Sequence, residues 1–378
     1  MKGGKVKVSG VGCCLVDRIY NGIDFSSDTF ARYLSKKTGD GGMEPGKLEF
    51  EDEFERFAGK PFHDVLREIV GDRKPDSVNI GGPCIVALIN AAQLTEGMSD
   101  VGFCGVRSDD EVGGILSCLL AKVPVGLSDY KVISGLETAS TTVFSDPHYD
   151  ASCIPESFYG SDIAVFGATA IVPGLHDSVG EALAKAKSKG CLTVVNTVFD
   201  SRNERRDGVG KWPMGRDSGC YCNVDVLVMD KVEALRLSGA QDVDKAMDFF
   251  RDAGVSAAVV TDGSRDVVLY AGGEKFSAAK SVQMPVSEAV GRKLRIGVCG
   301  DTTGCGDNFA GGIIASLVRQ IHSGAEVLDF VEACRWGIIS GGFACFYTGG
   351  TYYESRKGEK YEKLLPYYED YCRQTGVN

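Results

Sequence analysis

The sequence predicts an α/β fold in which helices cover both faces of a mostly parallel sheet. From residue 162 onward, short apolar runs alternate with longer amphipathic segments. A short run that is apolar throughout indicates a strand buried on both sides, as in parallel sheets. The predicted strands are 5–15, 101–104, 163–166, 192–198, 224–229, 257–260 and 294–299, and the predicted helices are 84–94, 115–122, 179–189, 242–252, 309–318, 331–346 and 358–378.

Composition narrows the class of protein. The chain has 378 residues, of which 43% are hydrophobic, so it can bury a large core. Its net charge of -11 argues against nucleic acid or an anionic membrane as a partner. Its 14 cysteines are scattered, mostly inside apolar segments, and we interpret them as reduced core residues of a cytoplasmic protein. The sequence contains no run of about 18 apolar residues, so no membrane span is predicted.

Residues 301–315 hold the most informative motif. A tight glycine turn separates the predicted strand 294–299 from a wholly apolar helix. Gly304 and Gly306 let the backbone direct several N–H groups to one point, which the positive end of the helix dipole also faces. The sequence therefore predicts an anion-binding turn here.

An acid lies at the rim of this turn. Asp307 would repel a substrate phosphate, so we interpret it as a group that acts on a neutral hydroxyl. A carboxylate beside an anion-stabilising turn suits phosphoryl transfer to an alcohol, because one group deprotonates the acceptor while fixed dipoles absorb the charge on the phosphoryl. The alternative is a glycine-rich turn whose Asp only caps the helix.

The motif is longer than the turn itself. Residues 301–309, Asp-Thr-Thr-Gly-Cys-Gly-Asp-Asn-Phe, resemble the C-terminal signature of the ribokinase-like (PfkB) family of sugar and nucleoside kinases, with Cys305 where Ala is usual. The resemblance implies that Asp307 is the general base and that the backbone N–H groups of Gly304, Cys305 and Gly306 stabilise the transferring phosphoryl.

The resemblance also implies an architecture. Members of the family form a three-layer αβα sandwich with a mostly parallel central sheet and a small β lid. Here it implies one domain over 1–378, with lid segments at roughly 16–50 and 128–160 inserted in the α/β core. The alternating, β-branched stretch 138–144 is the predicted lid strand.

The first predicted strand permits a second interpretation. It ends in Gly-Val-Gly-Cys-Cys-Leu, residues 10–15, and Gly-x-Gly after a first strand is the start of a dinucleotide fingerprint. Leu15 replaces the third glycine, however, and no second strand with an acid follows about 20 residues on. The resemblance instead places at the end of this strand an Asp that binds acceptor hydroxyls, which is Asp17. The alternative is a solvated Asp at a strand end.

A glycine pair follows later in the chain. Gly81 and Gly82 precede Pro83, which suits the first turn of an apolar helix. The resemblance implies that this pair brings backbone N–H groups close to the acceptor. Four residues after the pair, where the family commonly has a sugar-binding Asn, this chain has Val86, and the Arg that often follows the lid strand has no counterpart. These departures leave the substrate class open.

Two further motifs match the family's nucleotide side. Asp230 and Glu233 lie where the family has an N-x-x-E motif linked to Mg²⁺, whose preferred ligands are oxygens. The pair would equally form a helix capping box. Thr261 and Gly263 resemble the family's T-x-G segment at ATP, and Asn196 is a further candidate near the phosphates.

A monovalent-cation site is also implied. Some family members hold K⁺ through the first Asp and the third residue of the signature, which are Asp301 and the carbonyl of Thr303 here. With Asp17, Asp230 and Thr261, Asp301 is expected at the carboxyl end of a strand.

The sequence thus predicts an ATP-dependent, Mg²⁺-using kinase of a small sugar or sugar-like alcohol, with Asp307 as the base. One alternative is an adenosine-type nucleoside kinase, with Val86 in the wall of an apolar slot for the base. The other is a ligand-binding relative without catalysis. The expected partners are a small-molecule acceptor and, through the lid, a second copy of the chain. The C-terminal helix is predicted as a surface element or an oligomer contact.

Overall fold

The structure is a computed structural model that describes residues 4–20, 23–24, 27–37, 39–43, 49–135, 138, 150–206, 210–216, 219–297 and 300–377. Its strands are β1 Val6–Gly12, β2 Leu15–Ile19, β3 Ser77–Gly81, β4 Ser99–Arg107, β5 Tyr130–Val132, β6 Ile163–Gly167, β7 Leu192–Asn196, β8 Val226–Asp230, β9 Ala257–Thr261, β10 Val267–Ala271 and β11 Ala279–Met284. Its α-helices are α1 Asp28–Ala31, α2 Glu51–Ala58, α3 Phe62–Val70, α4 Pro83–Leu94, α5 Glu111–Leu120, α6 Pro173–Ser188, α7 Ser201–Arg206, α8 Lys231–Ser238, α9 Val243–Asp252, α10 Glu288–Arg295, α11 Cys305–His322, α12 Phe330–Ala344 and α13 Glu359–Gln374.

Nine strands form one sheet in the order β11-β10-β9-β8-β7-β6-β1-β4-β5. The strands from β9 to β5 run parallel, and β10 is antiparallel to both β9 and β11. The parallel strands place their carboxyl ends at one edge, which is where ligands bind in open α/β sheets. The predicted, mostly parallel central sheet is confirmed.

Helices cover both faces of this sheet. Successive residues of β7 and β8 point to opposite sides, so Val194 and Val228 join one core cluster while Val195 and Leu227 join the other. The first cluster packs against α4, α11 and α12, and the second packs against α6, α8 and α9. This confirms the three-layer sandwich. Within the described residues, no helix is long and apolar enough to cross a membrane.

A second sheet of two strands lies beside the first. β2 pairs antiparallel with β3, from Leu15 opposite Gly81 to Ile19 opposite Ser77. Between these strands the chain forms α1, α2 and α3. β5 pairs with β4 and extends the main sheet. Apart from Thr138, the predicted lid strand 138–144 lies outside the described residues, and the division into core and lid remains a prediction.

The predicted strand 294–299 is wrong in its described part. Leu294 and Arg295 end helix α10, which Ser287 caps by accepting from the Val290 N–H. Ile296, the C-cap residue of α10, is 75% exposed. Residues 298 and 299 lie outside the described chain. The turn before α11 therefore follows a helix and a loop.

The C-terminal helix, which the sequence predicts as a surface element or an oligomer contact, has one exposed face and one face that packs on the core. Leu364 and Tyr371 on α13 are fully buried, and the Tyr368 ring stacks on Trp336 of α12 at 4.3 Å between centroids. The inward face of α13 therefore packs on the α12 side of the sheet. This position lets it reach the base of the turn described next.

Candidate active site

The glycine turn before α11 has the geometry that its sequence predicts. Gly304 is the N-cap residue and has a φ of +73°, a conformation that costs glycine little. A Cβ at this position would lie 2.5 Å from Cα of Gly350. The turn can thus form only with glycine at 304, because both the backbone conformation and the neighbouring chain exclude a side chain.

The first N–H groups of α11 have no partner within the helix, as at any helix start. Of these, the Cys305 N–H donates to the Thr302 carbonyl at 3.2 Å. An ideal Cβ on Gly306 would meet no atom within 4 Å. Space next to the helix N-terminus therefore opens at Gly306, where the positive end of the helix dipole favours an anion.

Asp307 lies in the first turn of α11 and is half-buried. Its Oδ1 is 3.5 Å from Asn196 Nδ2, at the carboxyl end of β7. Burial raises the pKa of Asp307 to about 7, and the nearby charge of Asp17 adds to the shift while Asn196 opposes it. A carboxyl with a pKa near the operating pH has the property required of a general base.

The sequence predicts Asp17 at the end of the first strand, and this position is wrong, because Asp17 lies within β2. Gly12 has a φ of +152°, and a Cβ there would lie 2.0 Å from the Gly167 carbonyl oxygen. The chain leaves the main sheet at this point and forms β2, which carries Asp17 opposite Asn79. Asp17 is 8% exposed, and its charge still reaches Asp307.

The glycine pair packs directly against this part of the chain. A Cβ on Gly81 would lie 2.2 Å from Oδ2 of Asp17. Gly82 has a φ of +107°, and a Cβ there would lie 2.5 Å from the Cys13 carbonyl oxygen. Both glycines are required by close approach, and the structure brings the pair together with Asp17.

Asp230 and Glu233 form the predicted capping box at the start of α8. The Glu233 N–H donates to Asp230 Oδ1 at 2.8 Å, and the Asp230 N–H donates to Glu233 Oε2 at 2.9 Å. Thr197 Oγ1 also donates to Glu233 Oε2, at 2.6 Å. Burial, then the charges of Asp230 and Asp307, raises the pKa of Glu233 to about 7. Glu233 therefore shares an acidic environment with Asp307.

Thr261 and Gly263 follow the next strand of the sheet. Thr261 ends β9 directly opposite Asp230 in the parallel register. Gly263 has a φ of +59°, and no atom lies within 4 Å of an ideal Cβ there. Between them, Asp262 accepts from Lys231 Nζ at 3.1 Å, which ties this turn to the start of α8.

Asp301 connects two loops. Its Oδ1 accepts from the Thr303 N–H at 2.8 Å, and its Oδ2 accepts from the Gly349 N–H at 3.0 Å. It lies in the loop before α11, so its predicted place at a strand end is wrong for the same reason as the strand 294–299. Thr303 is exposed.

Asn308, which the sequence analysis did not identify as a site residue, supports the turn from behind. Its Nδ2 donates to the carbonyls of Gly304 at 2.9 Å and Gly350 at 2.8 Å. Its Oδ1 accepts from Lys360 Nζ at 2.8 Å and from Tyr347 OH at 3.2 Å. Asn308 is fully buried, and it holds together the two glycine segments that shape the turn.

Lys360 belongs to α13 and is only 1% exposed. Burial lowers the pKa of Lys360 to about 7, while Glu354 opposes the shift. The sequence does contain a signal for this buried lysine. Lys360 precedes Leu364 by four residues and Tyr371 by eleven, and both spacings place it on the apolar face of the helix. A charged residue at an apolar position indicates a specific buried partner.

We expect Lys360→Met to leave the protein as stable as the natural chain or to stabilise it, by about 1–4 kcal/mol near pH 6. Because burial lowers the lysine pKa, the charged form destabilises the folded state. That cost is fully present below the folded pKa of about 7 and disappears as the pH rises toward 10.5. Asn308 keeps Tyr347 OH as a donor. Thermal unfolding from pH 6 to pH 10 measures the effect.

The control is Lys360→Ala, which removes the charge but leaves a cavity. We expect this variant to lose about 2–5 kcal/mol near pH 10, where the lysine of the folded protein is neutral, and less near pH 6, where removal of the buried charge offsets part of the cavity cost. If Lys360→Met were destabilised as much as Lys360→Ala, burial of the lysine charge would not cost stability.

Comparisons with known proteins identify the family and the fold of this chain. The model of the family described as pfkB family carbohydrate kinase matches residues 76–356. The comparison with curated proteins gave no match to this chain.

Three solved structures illustrate the similarity of fold. Adenosine kinase from Schistosoma mansoni in complex with 2-fluoroadenosine has a TM-score of 0.67 at 13% identity, covering 91% of this chain and 96% of that one. Adenosine kinase from Sinorhizobium meliloti has a TM-score of 0.64 at 19% identity, covering 96% and 100%. Aminoimidazole riboside kinase from Salmonella enterica, complexed with aminoimidazole riboside and an ATP analogue, has a TM-score of 0.60 at 16% identity, covering 96% and 99%.

The structural likeness establishes the ribokinase-like fold, and the matched family model spans most of the chain, including the glycine pair and the signature 301–309. The family model and the fold together show that the chain belongs to the pfkB family of carbohydrate kinases.

Proposed function

We propose that this protein is an ATP-dependent kinase that transfers the γ-phosphate to a hydroxyl of a small sugar or sugar-like alcohol. Asp307 would take the proton of that hydroxyl. The observation that carries the proposal is the position of Asp307, half-buried beside the open space at Gly306, with a pKa of about 7.

The chemistry follows from groups that are fixed before substrate binds. As the acceptor oxygen attacks the γ-phosphorus, Asp307 would receive its proton, and negative charge would spread over the phosphoryl oxygens. The N–H groups at the start of α11, with the helix dipole behind them, would stabilise that charge. Of the three predicted donors, Cys305 already donates to Thr302, so we assign the larger share to Gly306. Gly304 shapes the turn.

The acceptor would lie between Asp307 and the glycine pair. Asp17 would bind acceptor hydroxyls, and Gly81 and Gly82 would let the backbone approach closely. In support, the charge of Asp17 contributes to the raised pKa of Asp307, so the two carboxyl groups are near enough to interact. ATP would extend from this point past Asn196 toward Thr261 and Gly263.

The residues around Glu233 fit a divalent cation. Glu233 is 7% exposed, and its pKa is raised first by burial and then by the like charges of Asp230 and Asp307. A cation with its waters and the ATP phosphates would relieve this repulsion, and carboxylate oxygens are the ligands that Mg²⁺ prefers. When bound, Mg²⁺ neutralises charge on the transferring phosphates. Glu233 and Asp230 would hold it through water or phosphate.

We expect Glu233→Gln to raise the Mg²⁺ concentration that gives half-maximal activity by about tenfold. Gln completes a capping box as Glu does, so the variant removes the charge and keeps the cap. Because the folded pKa of Glu233 is raised to about 7, its ionised form lowers stability above that pH. The variant should therefore unfold at the same or a higher temperature at pH 8. If the Mg²⁺ titration of the variant were unchanged, Glu233 would act only as a helix cap and not at the Mg²⁺ site.

The monovalent-cation site remains a prediction. The Asp301 carboxylate and the Thr303 carbonyl would hold K⁺ beside the turn. Both Asp301 oxygens already accept backbone N–H groups, so a cation there would reinforce an existing connection between two loops.

A nucleoside acceptor is the second candidate, and an apolar cluster favours it. Cys13, Leu15, Ala168 and Ile171 are buried together, with the half-buried ring of Phe50 packed against them. Cys13 and Leu15 lie just before Asp17 in the chain, so an acceptor held by Asp17 could place a base against this cluster. Val86 lies outside this cluster, in the core on the α4 side of the sheet, where it packs against Gly350.

The proposal is tested by incubating the protein with ATP, Mg²⁺ and a panel of alcohols, with ADP release as the readout. The panel holds pentoses, hexoses, polyols and purine and pyrimidine nucleosides. Release that depends on a sugar or polyol supports the first candidate, and release that depends on a nucleoside supports the second. ATP binding without release for any acceptor would favour a relative that binds ligands without catalysis.

A further inference from the structure

Two cysteines from distant parts of the chain meet beneath the glycine turn. Cys305 is the first residue of α11, and Cys345 is the C-cap residue of α12. Their sulfur atoms are 3.3 Å apart and share a hydrogen bond. Both residues are free and partly exposed. The signature position of Cys305 usually holds Ala, so an ordinary turn of this kind has no sulfur at that position.

The hydrogen bond from Cys305 lowers the pKa of Cys345 to about 7, although burial opposes the shift. The 3.3 Å between the two sulfurs places Cys305 to attack the Cys345 sulfur once that sulfur is oxidised. A thiolate is the nucleophile in thiol oxidation, so Cys345 would react first and Cys305 would resolve the product.

We propose that Cys305 and Cys345 are a site of reversible oxidation, at which a peroxide converts the pair into a disulfide and inactivates the adjacent anion-binding turn. The loss of activity rests on the proposed function, whereas the disulfide itself does not. The reaction needs only the two thiols and the peroxide.

The oxidation takes two steps. The Cys345 thiolate attacks one peroxide oxygen, the O–O bond breaks, and hydroxide leaves and takes a proton to become water. The Cys305 thiol then attacks the sulfenic sulfur of Cys345, the S–O bond breaks, and a second water leaves. Both sulfurs are oxidised, and the peroxide is reduced to two waters. A small dithiol reverses the reaction by exchange.

The cross-link would distort the turn. A disulfide needs about 2.05 Å between its sulfurs, so the two must approach by roughly 1.3 Å. The Cys345 carbonyl accepts from the Gly300 N–H at 2.8 Å, and the Cys305 N–H is one of the proposed phosphoryl donors. Movement at these two points displaces both ends of segment 300–306. The N–H groups at Gly306 would then no longer point to the position of the phosphoryl.

The experiment treats the full chain with hydrogen peroxide and follows three readouts: a peptide map for the 305–345 cross-link, ATP binding by calorimetry, and kinase activity with the best acceptor. We expect the cross-link, a loss of activity of about tenfold or more, and recovery with a dithiol. Cys345→Ala should keep its activity under peroxide, because its side chain lies outside the proposed site. Cys118→Ser, which removes an exposed cysteine on α5, should stay as sensitive as the natural chain.

Three results would overturn the proposal: no cross-link in the natural chain, a cross-link with undiminished activity, or equal inactivation of Cys345→Ala. If no acceptor is phosphorylated at all, the peptide map and the ATP affinity still decide. A cross-link that leaves ATP affinity unchanged in an inactive chain would then count against the proposal. Failure of the proposed kinase function is thereby distinguished from failure of the redox site.

Discussion

Asp307→Asn should lower kcat by about 10²–10⁴-fold and leave ATP affinity within about twofold of the natural value. Asn keeps the size and the polar contact with Asn196 but cannot accept the proton of the acceptor hydroxyl. Steady-state kinetics with the best acceptor, and calorimetry with ATP, measure the two quantities. Because burial raises the pKa of Asp307 to about 7, its ionised form lowers stability above that pH. The variant should therefore be at least as stable at pH 8.

The same shift sets a pH dependence for the natural protein. Below pH 7 the carboxyl is protonated and cannot act as a base, so kcat/KM should fall about tenfold per pH unit there and level off above. Glu233 has a pKa of about 7 as well, which makes Glu233→Gln the control. The fall of kcat/KM below pH 7 should persist in Glu233→Gln. It should be absent from the residual activity of Asp307→Asn. Near-normal turnover in Asp307→Asn would refute its role as the base.

Gly306→Ala should lower kcat by about 10²–10³-fold without unfolding the protein. The φ of Gly306 lies outside the positive region, and no atom lies within 4 Å of the added Cβ, so the free protein tolerates the methyl group. The methyl group would occupy the space in which the phosphoryl is proposed to lie. The measurements are kcat with the best acceptor and the unfolding temperature.

Gly304→Ala is the matched comparison, because a Cβ there meets Gly350 at 2.5 Å in a backbone conformation that alanine disfavours. We expect it to lose stability and activity together, whereas Gly306→Ala should lose activity alone. Full activity in Gly306→Ala would contradict the proposed position of the phosphoryl beside Gly306.

The parts of the fold that could be predicted are those encoded locally. Apolar runs such as those of β6 to β9 indicate buried parallel strands whatever the rest of the chain does. The glycines of the 301–309 signature likewise specify a turn through their own backbone preferences. The failure at 294–299 has the same origin, because a short stretch that contains Leu and Ile fits a strand as well as the end of a helix. In the structure, Leu294 belongs to α10 and Ile296 is its C-cap residue.

The supporting residues of the site could not be predicted, because their partners are distant in sequence. Lys360 meets Asn308 across 52 residues, and Asn79 meets Thr348 across 269. The sequence predicts Asp17 as a site residue but places it at the end of the first strand, whereas it lies in β2. The close approach of Gly12 to Gly167 ends β1 early, and that contact is invisible until the main sheet is assembled.

The loop around Gly350 has a consequence for how the molecule matures. Asn79 donates to the carbonyls of Thr348 and Thr351, and Thr351 Oγ1 donates to the Ile80 carbonyl at 3.1 Å. These bonds join stretches made early and late in synthesis, and the entropy of closing so long a loop makes such contacts slow to form. Until residues 348–351 have been synthesised, a nascent chain lacks the segment that packs against Gly304 and accepts from Asn308.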